Sequence, residues 1–393
     1  MSSNRLTMIA SAPVHVREGG MLYLDHKFVD GMRLHQSLWD GEVHCILWRT
    51  DAPIPFGGAY DPADLGFVLK ILEAGQEIGA DDIRGAAVVA ASADLSRVLG
   101  LAPLCRAAGA GFVLTVEYTL ETRLQILALD RNRSLLRKAR STLWHLNDER
   151  RRRAAFRAAD AVQFNGYPAQ QAYGRLARDG LLYLDGRMRR GMMASEADLA
   201  ARASRLAAGA PLRIVHSGRL ATMKGAQDLL PVAREMQRLG ARFRMDVFGT
   251  GELEAEIAAE IRAAGLQEVV YLHAPVDFET GLVPFLKSEA DVFLSCHRQA
   301  DPSCTYLESL GCGLPIIGYD NRMWSAMHAA SGGGWLVPTA RTDLMAARLA
   351  ALAQNPGEVA IRSERALEFG RKHDFETEFA RRMESYAKYS GQG

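Results

Sequence analysis

The chain has 393 residues, 48% apolar and 24% charged, with a net charge of +1; this is the composition of a soluble globular protein long enough for about two domains. So balanced a charge gives no global field to recruit nucleic acid, and no apolar run approaches the ~20 residues of a membrane span. Met1–Pro13 lacks the long apolar core of a signal peptide. The five cysteines, Cys45, Cys105, Cys296, Cys304 and Cys312, are scattered without a close metal-ligand pair, so they read as reduced thiols of a cytosolic protein.

Short apolar runs alternate with helix-period segments from end to end, which predicts parallel α/β units. In the first half strands are expected at Leu6–Ala12, Val43–Trp48, Ala87–Ala91, Phe112–Glu117, Ala161–Phe164 and Leu181–Leu184. Helices are expected at Pro62–Ile78 and Leu95–Ala108. After the first strand, Gly19-Gly20 reads as a turn into a helix from Met21, or as backbone open to a ligand. From Arg131 to Arg157 ten Arg and Lys stand against Asp148 and Glu149, with Leu135, Leu136, Leu143, Trp144, Leu146 and Phe156 interspersed. This segment suits an anionic membrane surface or a plain solvated helix; no recognition motif accompanies it that would read nucleic acid.

The second half repeats the alternation. Strands are expected at Leu212–His216, Phe243–Phe248, Val269–Leu272, Val292–Leu294, Pro315–Ile317 and Trp335–Val337. After Gly225, Leu229, Val232, Ala233, Met236 and Leu239 fall on one helix face, and from Thr342 so do Met345, Leu349 and Leu352. The expected organisation is a first doubly wound domain over 1–207, a second over 208–375 beyond the Ala207–Pro211 turn, and a C-terminal helix over 376–393 returning to the first. Open parallel sheets bind ligands beyond the carboxyl ends of their strands, and the candidate residues follow strands. Gly218, Arg219 and Lys224 follow the first: two cations suit a diphosphate, although solvated surface cations are the commoner case. Gly249 and Gly251 follow the second and permit close backbone approach to a ligand, or form an ordinary turn.

The most distinctive stretch runs from Asp301 to Gly318. Asp301 is expected to cap a helix with Pro302 at its first position. The first-turn amides near Ser303, Cys304 and Thr305 then form an anion site. Glu308 follows about two turns on, and Gly311 and Gly313 end the helix. An anion at one end and a carboxylate for sugar hydroxyls behind it suggest a sugar nucleotide; a buried helix–turn–strand unit is the plainer alternative.

Gly218-Arg219-Leu220 with Lys224-Gly225, then Phe248-Gly249-Thr250-Gly251, Asp291–Ser295 and Leu307–Pro315, in this order and spacing, resemble the donor domain of the family 4 (GT-B fold) retaining glycosyltransferases over roughly residues 212–355. The resemblance implies two Rossmann-like domains facing across a cleft. It implies that Arg219 and Lys224 hold the donor diphosphate, that Glu308 accepts from the ribose, and that the amides near Ser303–Thr305 meet the distal phosphate or the sugar. One departure stands out. The family's first glutamate falls on Ala300, with Asp301 one residue later as its substitute. Gly19-Gly20 resembles the family's glycine loop opposite the donor. Many members carry a histidine where this chain has Glu117, a carboxylate able to orient or deprotonate an acceptor hydroxyl, or a solvated side chain.

These readings converge on transfer of a sugar from a nucleotide-diphosphate sugar to a glycan or lipid-linked hydroxyl, with retention, in the cytoplasm or at the inner membrane face. No cofactor is expected. Side-chain cations take the role of a metal, and no Asp-x-Asp motif is present. Two other readings stay open: a sugar-nucleotide epimerase on the same fold, and a non-catalytic nucleotide-sugar-binding protein.

Overall fold

The computed structural model describes residues 4–54, 57–130 and 132–391. Met1–Ser3 and Arg131, the first cation of the basic segment, lie outside them. The chain divides into two α/β units. One comprises Met1–Glu121, Arg140–Tyr183 and Thr377–Gly393; the other Thr122–Ala139 and Leu184–Glu376.

In the first unit β1 (Arg5–Ile9), β4 (Val43–Trp48), β6 (Val68–Leu72), β7 (Ala86–Ser92), β8 (Gly111–Val116), β9 (Ala161–Asn165) and β10 (Gly180–Tyr183) form a seven-stranded sheet. Its order is β10-β9-β8-β7-β1-β4-β6, and its neighbouring strands pair in parallel. A small antiparallel sheet joins β2 (His15–Val16), β3 (Leu22–Asp25) and β5 (Gly57–Tyr60). Apolar clusters around Val89, Phe112 and Phe156, and around Leu6, Val43 and Val113, form its core. Near-continuous apolar strands are what a parallel sheet covered on both faces requires.

The second unit holds β11 (Leu212–Ser217), β12 (Phe243–Phe248), β13 (Val270–His273), β14 (Val292–Ser295), β15 (Ile316–Tyr319) and β16 (Gly334–Val337). Their order is β13-β12-β11-β14-β15-β16. Counted from β11 this is 3-2-1-4-5-6, the dinucleotide-fold order, whose ligand crevice opens where the winding reverses. Here the reversal lies between β11 and β14.

Three expectations are corrected. Pro62–Ile78 is not a helix: only a short turn covers Pro62–Asp64, and Val68–Leu72 is the edge strand, paired His44 to Val68 through Trp48 to Leu72. A run as short as Val-Leu-Lys-Ile-Leu does not by its period separate a strand from a helix. The helix expected from Met21 begins at His26, after β3, with the Asp25 side chain capping it through the Phe28 amide at 3.1 Å. The units part at Leu184 rather than at residue 208. The helix Glu196–Ala207 belongs to the second unit because Arg202 bonds the Gly313 and Cys312 carbonyls and Arg205 bonds Asp291. The Ala207–Pro211 turn is therefore a connection inside a unit.

Candidate functional site

Gly218, just beyond β11, donates its amide to the Phe248 carbonyl at 3.1 Å, and Leu220 donates to Thr250 at 2.9 Å. A Cβ on Gly249 would lie 1.9 Å from the Gly218 oxygen, and one on Gly251 2.5 Å from the Leu220 oxygen. The two glycines thus serve the packing of one loop on the other, a cause the sequence did not distinguish from approach to a ligand. Gly225 has φ +72°, and a Cβ there would meet the Cys296 carbonyl at 1.7 Å. Only glycine lets this loop seat against the end of β14.

That seating brings Lys224 to Asp301. The ammonium nitrogen lies 2.5 Å from Oδ2, and both groups are buried. Burial alone would raise the Asp301 carboxyl, but the Lys224 ammonium overcomes it and holds the group below the usual carboxylate range. The buried imidazoles of His216 and His297 beside them are both lowered: His216 by burial first, against the bond from Nδ1 to the Leu294 carbonyl, with a smaller push from Lys224, and His297 by burial and then Lys224, against Asp301. Arg219 is exposed, and its side chain forms no ion pair among the described residues. A buried cation with its counter-ion and an unengaged guanidinium thus occupy the β11 loop.

Asp301 does not cap the following helix. Its side chain is taken by Lys224, its carbonyl accepts from the Ser303 amide at 2.9 Å, and Ser303 holds the N-cap position. The helix runs Cys304–Gly311, and the Ser303 and Thr305 hydroxyls lie 2.9 Å apart at its start. Such a start leaves amides without intrahelical partners and carries the positive end of the dipole. Glu308, only 1% exposed, receives Arg187 Nε on Oε1 at 2.7 Å, while its Oε2 is buried without a hydrogen-bond partner. The Arg187 guanidinium lies 3.8 Å from the Phe278 ring centroid. A buried acceptor left open is costly unless something fills it.

Arg219, Lys224, Gly218, Gly251, Asp301, Ser303, Cys304, Thr305 and Glu308 all belong to the second unit; Gly19, Gly20 and Glu117 belong to the first. Gly19 and Gly20 form an exposed turn with φ +74° and +79°. Glu117 follows β8 and is half-buried. Its amide donates to Asp94 Oδ2 at 3.0 Å, and its Oε2 accepts from Asn165 at 3.3 Å. Arg152, 1% exposed, pairs with Asp94 at 3.1 Å and bonds the Tyr118 carbonyl at 2.7 Å, which fixes the loop carrying Glu117. Arg187 and Asp94 escaped the sequence reading, since neither sits in a motif, and Arg152 entered it only as one cation of the basic segment.

Residues 200–373 match the family described as Glycosyl transferases group 1. Over 178 residues the chain is 29% identical to the putative colanic acid biosynthesis glycosyltransferase WcaL of Escherichia coli K12, spanning 42% of each chain. It is 27% identical over 157 residues to the amylovoran biosynthesis glycosyltransferase AmsK of Erwinia amylovora, spanning 38% of each. The chain thus matches less than half the length of these relatives. The structure of Anabaena HepE in complex with UDP superposes with a TM-score of 0.67 at 13% identity, covering 98% of this chain and 100% of that one. Residues 200–373 thus resemble the glycosyl transferases group 1 in sequence, and the chain shares the fold of HepE over nearly its whole length.

Proposed function

We propose that the protein transfers a sugar from a nucleoside-diphosphate sugar to a hydroxyl of a glycan or lipid-linked acceptor, in polysaccharide or glycolipid synthesis, in the cytoplasm or against the inner membrane face. The observation that carries this is the Lys224–Asp301 pair at the reversal of the second sheet, followed by a helix start and a carboxylate with one open oxygen. Three kinds of group that a nucleoside diphosphate needs follow one another along the chain. Arg219 and Lys224 meet the diphosphate, the helix amides meet its distal end, and Glu308 Oε2 accepts a ribose hydroxyl. The names of WcaL and AmsK, both polysaccharide-biosynthesis transferases, support the reaction class. The UDP in the HepE structure supports the ligand class.

The chemistry breaks the anomeric C–O bond, and negative charge grows on the departing diphosphate. Preorganised cations and amides stabilise that charge more in the transition state than in the ground state. The new bond forms from the acceptor oxygen to the anomeric carbon. In the retaining course the acceptor proton passes to the departing phosphate on the same face. Asp301 takes a hydroxyl of the transferred sugar while tempering Lys224, and Glu117 orients the acceptor.

The test is calorimetry with UDP, followed by transfer assays with a panel of nucleotide sugars. Glu308→Ala is expected to weaken UDP binding about tenfold, the loss of a hydrogen bond to a charged group. Arg219→Ala and Lys224→Ala are expected to cut transfer by at least about a hundredfold. Unchanged kinetics in both cation variants would remove them from the site. Conversion of donor without any acceptor would assign the protein to epimerisation instead.

A further inference from the structure

The helix Leu135–Ala158 carries a surface that sugar transfer does not use. Leu135, Leu136, Leu143, Trp144 and Leu146 are 85%, 82%, 69%, 53% and 45% exposed. No other element among the described residues exposes more than one large apolar side chain. At 3.6 residues per turn, Leu136, Arg140, Leu143, Asn147 and Arg150 follow one line along the helix, with Leu146 on one flank and Trp144 and Arg151 on the other. Asp148, Glu149, Arg152, Ala155 and Phe156 face inward and are buried.

The charges on this helix are sorted in the same way. Both of its acids are on the inward side and engaged: Asp148 lies 3.8 Å from Arg151, and Glu149 accepts from Arg153 at 2.9 Å and from the Tyr173 hydroxyl at 3.0 Å. Arg137, Arg140 and Arg150 are exposed and form no ion pair among the described residues. The outward side therefore presents leucines, one tryptophan and unpaired guanidiniums, with no carboxylate of its own helix.

We propose that this face docks on an anionic lipid surface. Charge complementarity selects the occupant. Unpaired guanidiniums bind phosphate oxygens, leucines enter the acyl boundary, and a tryptophan rests at the headgroup level. The helix lies on the membrane rather than crossing it, since no helix among the described residues is long and apolar enough to span. A nucleic acid would satisfy the guanidiniums but leave the leucines in water. A second copy of the chain would cover the leucines but bring the same cations face to face.

None of the donor residues lies on this helix, so vesicle binding needs no sugar nucleotide, and its failure would leave the transfer reading untouched. The full chain is sedimented with phosphatidylcholine vesicles, with and without phosphatidylglycerol. Binding is expected only with the anionic lipid, and is expected to fall as salt is raised. Leu143→Ser with Trp144→Ser, and separately Arg140→Glu with Arg150→Glu, should each lower the bound fraction by at least about tenfold. All four side chains are exposed, and a melting curve checks each fold. Should either pair fail to fold, the emission of Trp144 in the unaltered chain serves instead. A blue shift with anionic vesicles that is absent in Trp144→Phe supports the proposal. Equal sedimentation with neutral lipid, binding unaffected by both pairs of substitutions, or a concentration-dependent dimer abolished by the leucine and tryptophan changes would each overturn it.

Discussion

Lys224 and Asp301 stand 77 positions apart in the chain and meet at 2.5 Å, with side chains 10% and 7% exposed. Removing one partner of such a pair leaves a buried charge uncompensated, at about 3–5 kcal/mol, whereas replacing both with apolar groups costs much less. Lys224→Met and Asp301→Leu are each expected to destabilise by about 3 kcal/mol, and the two together by clearly less than the sum. Urea unfolding of the four proteins measures this, and strict additivity would show that the pair is not coupled. The pH dependence has a definite sign. The folded Asp301 carboxyl is held low, so its contribution is present above the ordinary carboxylate range and is lost as pH falls through the folded value. Both residues were legible in the sequence as polar groups just after strands. That they answer each other was not: the resemblance assigned Lys224 to phosphate, and Asp301 was expected as a helix cap and as the substitute for the family's first glutamate. Arg187 was less visible still, since it reaches Glu308 over 121 positions and no local spacing marks it.

Element by element, the long parallel strands were readable because each is a short apolar run set off by turn residues, and the described ladders carry them all. The misreadings fall at the sheet edge, in the small antiparallel sheet, and in Leu95–Ala108, which holds a short turn at Ser96–Val98 and a helix only over Ala102–Ala107. Val68–Leu72 borders on one side only and leaves Val68 50% exposed. β2 and β5 have too few residues for a period to emerge. The closing charged stretch was read as helical, and it forms two helices, Pro356–Lys372 and Phe375–Ala387. The second packs on the helix His26–Leu38, where the His35 ring centroid lies 4.8 Å from that of Phe379 and 6.4 Å from that of Tyr386. Burial first, then the nearby Arg382, lowers the His35 imidazole to about 3. The facing side chains Phe379, Arg382 and Tyr386 include no acid to offset this, and the Gly31 carbonyl on Nδ1 offsets it only in part. The unfolded chain binds a proton near the ordinary value of 6.5. Stability contributed by neutral His35 is therefore complete above that value and drains away as pH falls from about 6.5 toward about 3. His35→Gln should flatten the slope of unfolding free energy between those limits. Denaturant melts at a series of pH values test it, and an unchanged slope would mean that the histidine is not the group titrating.

Across the whole molecule, the two units are wound alike, but the chain completes them differently. The second unit's six-stranded sheet lies wholly within Leu184–Glu376, whereas the first takes in Thr377–Gly393 from the far end of the sequence. The returning helix buries Phe379, Met383 and Tyr386 at 5%, 5% and 0% exposure. It also lays Arg382 Nε on Gln163 Oε1 at 3.0 Å and the Arg381 guanidinium on the Leu182 carbonyl at 3.1 Å. A Cβ on Gly111 would come within 2.6 Å of the Tyr389 Cβ, so the first strand position of β8 is shaped to the tail. Each large apolar side chain so buried contributes about 1.5–3 kcal/mol. Three of them approach the whole stability of an ordinary domain, about 5–15 kcal/mol. A chain ending at Glu376 should therefore lose the first unit and keep the second. Hydrogen exchange is expected to show amide protection collapsing across β1, β7, β8 and β9 while β11, β12 and β14 stay protected. UDP, on the reading of its site given above, should still raise the melting temperature of what remains, because a ligand bound only to folded protein stabilises it by mass action. Uniform loss of protection in both units would mean that they fold as one cooperative body. Undiminished protection in the first would mean that the tail rests on it without supporting it.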